Sequence, residues 1–445
     1  MIRCGMHEIQ ITPALGSSIP GYLSERKGTG VRDELFVKAF VVETADVNAV
    51  MVVIDALNLT RKEVQRIRRR IQEETGIAES HIMVSTTHTH TGPPIRPGFD
   101  GSDSGPYLDW LVAKAGDAAA IAFRNKREAR IGFGTGEENG ISYNRRYWMA
   151  DDTLQTNPGF GNSEIVRPAG PIDSDVQVIR IDDTNGEPIG VITCFACHTD
   201  TVGGTEYSAD FPGELSRTLK QVLGEQVVSL FLLGACGDIN HCNFMKRNPP
   251  GEEHYRTMGR ILAGEVLKVR EKIFLEPSIT EPVLAVDRVL FEMEFRSPTH
   301  DEVEEAKRIL TITPDPQGHY SGPARIDNEH FFARQLLEVL DNPVSSTEIE
   351  IQVFRIGECA IVGLPGELFV ELGLQIKRES PFSQTMLNTL CNGSTVGYVY
   401  TRKAYEEGGY EPRVRNNSRN PVGAGELFAE RAVEQLNRMA GKTGQ

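Results

Sequence analysis

Thr87-His88-Thr89-His90-Thr91-Gly92-Pro93 places two imidazoles two residues apart, directly after an apolar run over 81–86 that reads as a strand. In extended chain, residues i and i+2 point to the same side, and a strand-end loop is a usual seat for ligands and catalytic groups. His198 closes a second apolar run, Ile189–Ala196, and repeats the placement of His88. Glu367 lies in Leu364-Pro365-Gly366-Glu367-Leu368, where a Pro-Gly turn after a third strand can aim a carboxylate inward. Two neutral imidazoles and one carboxylate form a catalytic zinc set that keeps a position for water. Zinc lowers the pKa of bound water to about 7 and polarises a carbonyl. These residues therefore point to hydrolysis with one zinc per chain, or another divalent metal in its place. His90, with an ordinary pKa near neutrality, is the candidate proton donor or acceptor.

The elements that must position these residues alternate between strands and helices. Phe36–Glu43, Ala49–Ile54 and His81–Thr86 read as strands. Thr60 and Glu63 have the spacing of a capping box, which predicts a helix running to about Thr75 with Gly76 as its stop. Tyr107–Asn125 carries apolar residues at helical spacing. Ala129–Phe133, Val176–Ile181, Ile189–Ala196 and Val227–Leu233 are further strands, and Glu348–Phe354, Gly357-Glu358 and Cys359–Leu364 predict a hairpin. The fold class is α/β, a layered mixed β-sheet with flanking helices. One catalytic domain is expected over 1–445. Within it, 277–342 forms a helical lid, a subdomain or a covering layer, with helices over Asp301–Leu310 and Asn328–Leu340 around a loop holding Pro314, Pro316, Gly318, Gly322 and Pro323. A last helix is expected over Gly425–Ala440.

Composition narrows the partners. Lys and Arg total 47 against 62 Asp and Glu, a net charge of −15. Nucleic acids and anionic membranes both call for a basic face, so a small-molecule substrate is expected instead. No apolar run approaches the ~20 residues of a membrane span. Met1-Ile-Arg-Cys-Gly-Met-His7 lacks a signal-peptide pattern, and seven scattered cysteines fit reduced thiols, so a cytoplasmic location is expected. Cys194-Phe-Ala-Cys197-His198 matches the C-x-x-C-H haem-attachment string. The competing reading is two small core residues in a buried strand.

Longer strings carry a resemblance. Thr87–Pro93 (THTHTGP), Asn144-Arg145, Cys197-His198-Thr199, Gly237-Asp238, Pro365-Gly-Glu367, and Gly397-Tyr398-Val-Tyr-Thr-Arg402 followed by Tyr405 and Tyr410 run in one order along most of the chain. In these the chain resembles the neutral (non-lysosomal, neutral/alkaline) ceramidase family, specifically its N-terminal catalytic domain. The resemblance implies His88 and His198 as imidazole ligands, Glu367 as carboxylate ligand and Tyr398 as fourth ligand through its phenol oxygen. It puts His90 beside the metal and Arg145 and Tyr410 on the substrate or the developing oxyanion.

The chain departs from the family in two respects. The family's nucleophile loop reads Gly-Asp-Val-Ser-Pro-Asn; here it is Gly237-Asp238-Ile239-Asn240-His241-Cys242-Asn243. Asn240 stands at the serine position, and an amide cannot be that nucleophile. A metal-activated water is the expected attacking group, with Asn240 donating its amide N–H to the substrate oxygen. Asp238 is the candidate to orient His90 or His241, and Asp210 to partner a ligand histidine or cap a helix. The family's secretion signal and C-terminal immunoglobulin-like domain are also not seen. The expected function is zinc-dependent hydrolysis of an amide, or an ester, in a soluble substrate. The alternatives are a non-catalytic metal- or small-molecule-binding member of the family and a ceramidase acting on N-acylsphingosine.

Overall fold

Twelve strands of five or more residues build the framework of the computed structural model, which describes residues 2–98, 101–275, 283–312, 326–341, 344–393 and 396–441. In chain order they are β1 (Arg3–Gln10), β2 (Phe36–Glu43), β3 (Asn48–Ile54), β4 (Ile82–Thr86), β5 (Arg127–Glu137), β6 (Asp175–Asp183), β7 (Pro188–Phe195), β8 (Val228–Leu233), β9 (Leu284–Glu294), β10 (Ser346–Ile356), β11 (Cys359–Gly363) and β12 (Gln384–Asn388). The helices are α1 (Arg61–Thr75), α2 (Gly105–Arg124), α3 (Asp210–Leu223), α4 (His254–Lys272), α5 (His300–Thr311), α6 (Ile326–Asp341), α7 (Val370–Glu379), α8 (Arg402–Glu407) and α9 (Ala424–Gly441). Among the described residues no helix is long and apolar enough to cross a membrane.

The first eight strands form one mixed ladder in the order β8-β7-β6-β5-β1-β2-β3-β4. Its joint between β1 and β5 holds only two register pairs, Arg3↔Glu128 and Cys4↔Arg127. The ladder is therefore two four-stranded halves hinged at a corner. Edge strand β8 turns back against the first half, where the Lys38 ammonium of β2 donates to the Ser229 carbonyl at 2.9 Å and to the Ser216 hydroxyl at 3.0 Å. The remaining strands form a second sheet, β9-β10-β11-β12.

Alternation along each strand sorts side chains between two cores. In β2, Val37, Ala39 and Val41 face α1 and α2, whereas Phe40 and Val42 face a core shared by all three strand groups. In β7, Val191 and Phe195 face α3 and α4, whereas Ile192 and Cys194 join the shared core. In β10 and β11, Phe354, Ile356, Cys359 and Ile361 enter that core, while Ile351, Val353, Ala360 and Val362 pack under α7 and α9. Helices thus cover the outside and sheets meet on the inside. The layered α/β class holds, with a second sheet added to the single one expected.

Local expectations mostly hold. In α1 the Glu63 carboxylate accepts from the Thr60 backbone N–H at 3.1 Å and from the Thr60 hydroxyl, and Gly76 ends the helix at φ +73°. The hairpin forms between β10 and β11. The stretch 277–342 departs from its helical reading: β9 occupies 284–294 and pairs with β10 along its whole length, from Leu284↔Ile356 to Glu294↔Ser346. The sequence predicts no element over 284–294, an edge strand interrupted by Asp287, Arg288, Glu292 and Glu294. Helices α5 and α6 form where helices were expected, and they pack on each other. The loop with Pro314, Pro316, Gly318, Gly322 and Pro323 lies outside the described residues.

Candidate metal centre

Each of the three expected ligands hangs from a different part of the framework. His88 follows β4, in the first half of the ladder; His198 follows β7, in the second half; Glu367 follows β11, in the second sheet. The loops satisfy one another's backbone. The Thr199 hydroxyl donates to the Thr87 carbonyl at 2.6 Å, and the His90 N–H donates to the Thr199 carbonyl at 3.2 Å. The Thr389 N–H donates to the Leu233 carbonyl at 2.8 Å, and the Glu367 N–H to the Gly397 carbonyl at 2.8 Å. His88 adopts φ +68°, a left-handed conformation that a non-glycine residue holds only when its surroundings over-determine it.

The donor chemistry follows from the hydrogen bonds behind the rings. His88 Nδ1 lies 2.7 Å from the Leu57 carbonyl and His198 Nδ1 lies 2.9 Å from the Cys236 carbonyl. A carbonyl only accepts, so both Nδ1 atoms carry the proton and both Nε2 atoms present a lone pair. These two Nε2 atoms stand 3.1 Å apart. Glu367 Oε2 lies 3.5 Å from the first and 3.3 Å from the second, is buried, and has no hydrogen-bond partner. Three lone-pair atoms thus converge with no proton between them. Tetrahedral zinc with bonds of about 2.0–2.1 Å spaces its ligand atoms by roughly 3.3 Å. The donor set fits such a cation in type and spacing.

His90 lies against this set, as expected. Its ring meets that of His88 edge-on at 4.9 Å between centroids, and ligand atoms of His88, His90 and His198 all fall within 4.8 Å of one another. Burial drives its pKa down to about 3 against the pull of Asp200, so the ring is neutral and neither nitrogen has a hydrogen-bond partner. A strap at 20–26 covers it. Gly21, at φ +122°, passes so close that a Cβ there would lie 3.0 Å from His90 Nδ1. The Tyr22 hydroxyl donates to Asp200 Oδ1 at 2.6 Å, and Arg26 donates to the His90 carbonyl at 2.6 Å.

Tyr398 reaches the centre through register. The two-residue strand Glu367–Leu368 pairs in parallel with Tyr398–Val399, with Glu367 directly opposite Tyr398. Guanidinium groups of Arg145 and Arg415 each stand 5.2 Å from the Tyr398 ring centre. Burial raises the Tyr398 pKa well above its usual value, with Arg145 pulling the other way. Tyr410 packs on Tyr398 at 5.6 Å. Arg145 donates from Nε to Glu411 at 3.0 Å. A cavity of about 900 Å³ opens over His90, His198, Arg145, Tyr398 and Tyr410, and one of about 360 Å³ approaches His88 and Glu367 beside Arg96 and Arg415. Phe331 and Phe332 of α6 line these cavities.

Four sequence expectations land elsewhere or find other partners. Asn240 donates from Nδ2 to Asn157 Oδ1 at 2.9 Å and accepts from the Cys242 N–H at 2.8 Å, which leaves one amide proton uncommitted. Asp238 orients no histidine: it accepts from Asn144 Nδ2 at 2.9 Å and the Val370 N–H at 2.8 Å, and burial lifts its pKa to about 6. Asp210 touches no ligand histidine; at the first position of α3 it accepts from the Phe211, Thr201 and Val202 N–H groups and clamps the loop after His198. Cys194 and Cys197 enter two different cores, the first donating to the Leu387 carbonyl at 3.2 Å. Their thiols therefore do not face one haem edge, and His198 turns its Nε2 to His88. Sequence reasoning missed Tyr22, Arg96, Glu411 and Arg415. Only Asp200, which follows His198 by two residues, had a local signal.

This architecture and donor set define a class: an α/β catalytic-type domain built around a candidate metal site where three strand groups meet. Comparisons with known proteins show what the chain is similar to. Residues 3–213 match the family described as neutral/alkaline non-lysosomal ceramidase, N-terminal. A neutral ceramidase of Pseudomonas aeruginosa is 22% identical over 470 residues, covering 92% of this chain and 68% of that protein. One of Mycobacterium tuberculosis is 23% identical, covering 87% of this chain and 69% of that protein. The crystal structure of the Pseudomonas aeruginosa neutral ceramidase superposes with a TM-score of 0.72 at 18% identity, over 99% of this chain and 75% of that one. A structure of a ceramidase complexed with C2 superposes with a TM-score of 0.73 at 19% identity, over 99% of this chain and 75% of that one. The resemblance carried by the sequence strings thus holds, and the structural likeness establishes the fold.

Proposed function

We propose that this chain is a metal-dependent hydrolase of an amide bond in a small-molecule substrate, with His88, His198 and Glu367 as metal ligands and Tyr398 as the fourth. The observation that carries the reading is the buried, unpartnered Glu367 Oε2 facing two Nε2 lone pairs at 3.5 and 3.3 Å. Zinc bound there supplies a Lewis acid for a carbonyl and an acidified water at neutral pH. The chain's own residues do the rest. The amide enters the 900 Å³ cavity, where Leu154 and Phe332 give it apolar wall. Arg145 and Tyr410 border the position where negative charge develops on the carbonyl oxygen, and preorganised donors there stabilise a transition state. His90, neutral and within one ring's width of the ligands, holds or passes the proton destined for the leaving nitrogen. Tyr22 and Arg26 fix the loop and the Asp200 carboxylate around it. Asn240 keeps one N–H for the substrate oxygen. A serine nucleophile is not required of this site. The names of the relatives make N-acylsphingosine one substrate to test beside soluble N-acyl compounds.

The test is metal content and turnover of the purified protein beside His88→Ala and His198→Ala. One zinc per chain in the wild type, lost in both variants together with amide hydrolysis, is the expected result. A wild type that neither carries nor takes up zinc would end the proposal and leave a small-molecule-binding protein in its place.

A further inference from the structure

The charges around the metal centre do not balance, and the imbalance describes a ligand. The carboxylates on the cavity walls other than Glu367 are already engaged. Asp200 accepts from Tyr22 at 2.6 Å, Glu329 from Arg413 at 2.8 Å and Glu25 from Ser18 at 2.6 Å. The guanidinium groups are not matched in the same way. Arg145 gives Nε to Glu411 but leaves Nη2 buried and without a partner, on a side chain 7% exposed. Arg415 is 6% exposed, lies 4.5 Å from the Tyr410 ring centre and, among the described residues, has no carboxylate partner. A buried guanidinium without an anion is costly.

The metal reading does not remove this surplus. A divalent cation beside Glu367 outweighs that single carboxylate, so Glu367 offers no negative charge to spare, and Arg145 with Glu411 comes to zero. Arg415 remains as an uncompensated positive charge facing the cavity that holds Glu367, and Arg96 on the same wall adds to the surplus, its Nη2 bonding the neutral Asn58 amide oxygen at 2.6 Å. We infer that the substrate is an amide bearing a carboxylate a few bonds from the scissile bond, held by Arg415 together with the free Nη2 of Arg145. The short spacing follows because both guanidinium groups stand 5.2 Å from the Tyr398 ring, whose register partner is Glu367. Guanidinium matches carboxylate with paired, charge-assisted hydrogen bonds. The inference rests on the hydrolase reading for the scissile bond, whereas the anion site rests on the arginines alone.

The experiment measures binding without turnover. The ligands are 4-oxononanoate, a ketone isostere of N-hexanoylglycine, and its uncharged, non-hydrolysable counterpart 1-hydroxynonan-4-one, each titrated into zinc-treated protein by calorimetry. The carboxylate is expected to bind at least about tenfold more tightly than the alcohol, the scale of one charge-assisted hydrogen bond. In Arg415→Gln the preference is expected to fall below about threefold while the uncharged ligand binds as before, and Arg415→Lys is expected to keep part of it. Unchanged binding of the uncharged ligand shows that the variant has folded. Equal affinities for the two ligands in the wild type would overturn the inference and assign both arginines to Tyr398. A carboxylate preference in a protein that turns over no amide supports the anion site, and its consequence falls on the hydrolase reading alone.

Discussion

Glu367→Gln is expected to make the metal-free protein more stable and the zinc-treated protein less so. With their Nδ1 protons committed to the Leu57 and Cys236 carbonyls, His88 and His198 present Nε2 lone pairs to a carboxylate that offers no proton. A glutamine in the same rotamer supplies an N–H₂ group where Oε2 now lies, 3.5 and 3.3 Å from the two Nε2 atoms. Two hydrogen bonds at about 0.5–1.5 kcal/mol each stabilise the metal-free variant by roughly 1–3 kcal/mol. An unfolding entropy of about 2.1 cal/mol/K per residue gives about 0.9 kcal/mol/K for a chain of 445 residues, so its Tm rises by roughly 1–3 °C. With zinc at a thousand times its Kd the wild type gains about 4 kcal/mol, or roughly 4 °C. The variant, short of its only anionic ligand among the three, loses most of that gain. Differential scanning calorimetry in EDTA and in zinc therefore should show the order of the two melting temperatures reverse. A variant that melts below the wild type in EDTA, or an equal zinc shift in both, refutes the argument that three unprotonated acceptors converge.

The pair Arg68–Glu350 predicts a second effect. Arg68 bonds Glu350 at 2.9 and 2.5 Å with side chains 3% and 2% exposed, and Arg288 adds a contact at 2.8 Å. Glu350→Ala, leaving a buried guanidinium unpaired, is expected to cost about 3–5 kcal/mol in urea denaturation at pH 7. Burial pushes the Glu350 pKa up, but Arg68 and Arg288 outweigh it and hold it below 4.5. The folded state therefore binds fewer protons than the unfolded state. This contribution is present above pH 4.5 and is lost as pH falls through the lowered folded value, so the gap between wild type and variant narrows on acidification. A constant gap from pH 7 to 3 would sink the assignment. Gly21→Ala, at φ +122° and 3.0 Å from His90 Nδ1, is expected to cost about 1–3 kcal/mol of strain and to shift the His90 imidazole resonances. Unchanged resonances with full stability would show that the strap does not position His90.

Local chemistry was legible in the residues and long-range assembly was not. The Thr60–Glu63 box, the Gly76 stop and the hairpin at Gly357-Glu358 involve contacts within a few residues, and each forms. His88, His198 and Glu367 announced themselves by repeating one placement, polar after apolar strand. That they meet depends on a corner held by two register pairs, which no window of sequence encodes. β9 was not legible within the stretch expected to form a lid, subdomain or covering layer, because its strand character depends on eleven partners in β10. Arg415 and Tyr22 lie in no motif. Their relevance comes from what folds over them, Tyr398 and Tyr410 in one case and His90 in the other.

The assembly also bears on how the site would bind its ion. A ligand set drawn from one sheet would inherit its rigidity from that sheet's ladder. Here each ligand comes from a different strand group, so the rigidity must come from the loops between them. The loops have the bonds for it. Thr199 ties the His198 loop to Thr87 and His90, Thr389 ties the β12 exit to the Leu233 carbonyl, and Asn392 accepts from and donates to Val84 of β4. The left-handed His88 is held within this lacing, with its N–H on the Ala56 carbonyl at 2.9 Å and its Nδ1 on the Leu57 carbonyl. None of these bonds needs the ion. The repulsion among three lone pairs is thus borne by the fold beforehand, and a cation entering the site relieves it without having to order the ligands. Affinity for the ion and strain in the empty site are then one quantity seen from two sides, so a substitution that relaxes the metal-free protein should weaken its hold on metal by a comparable free energy.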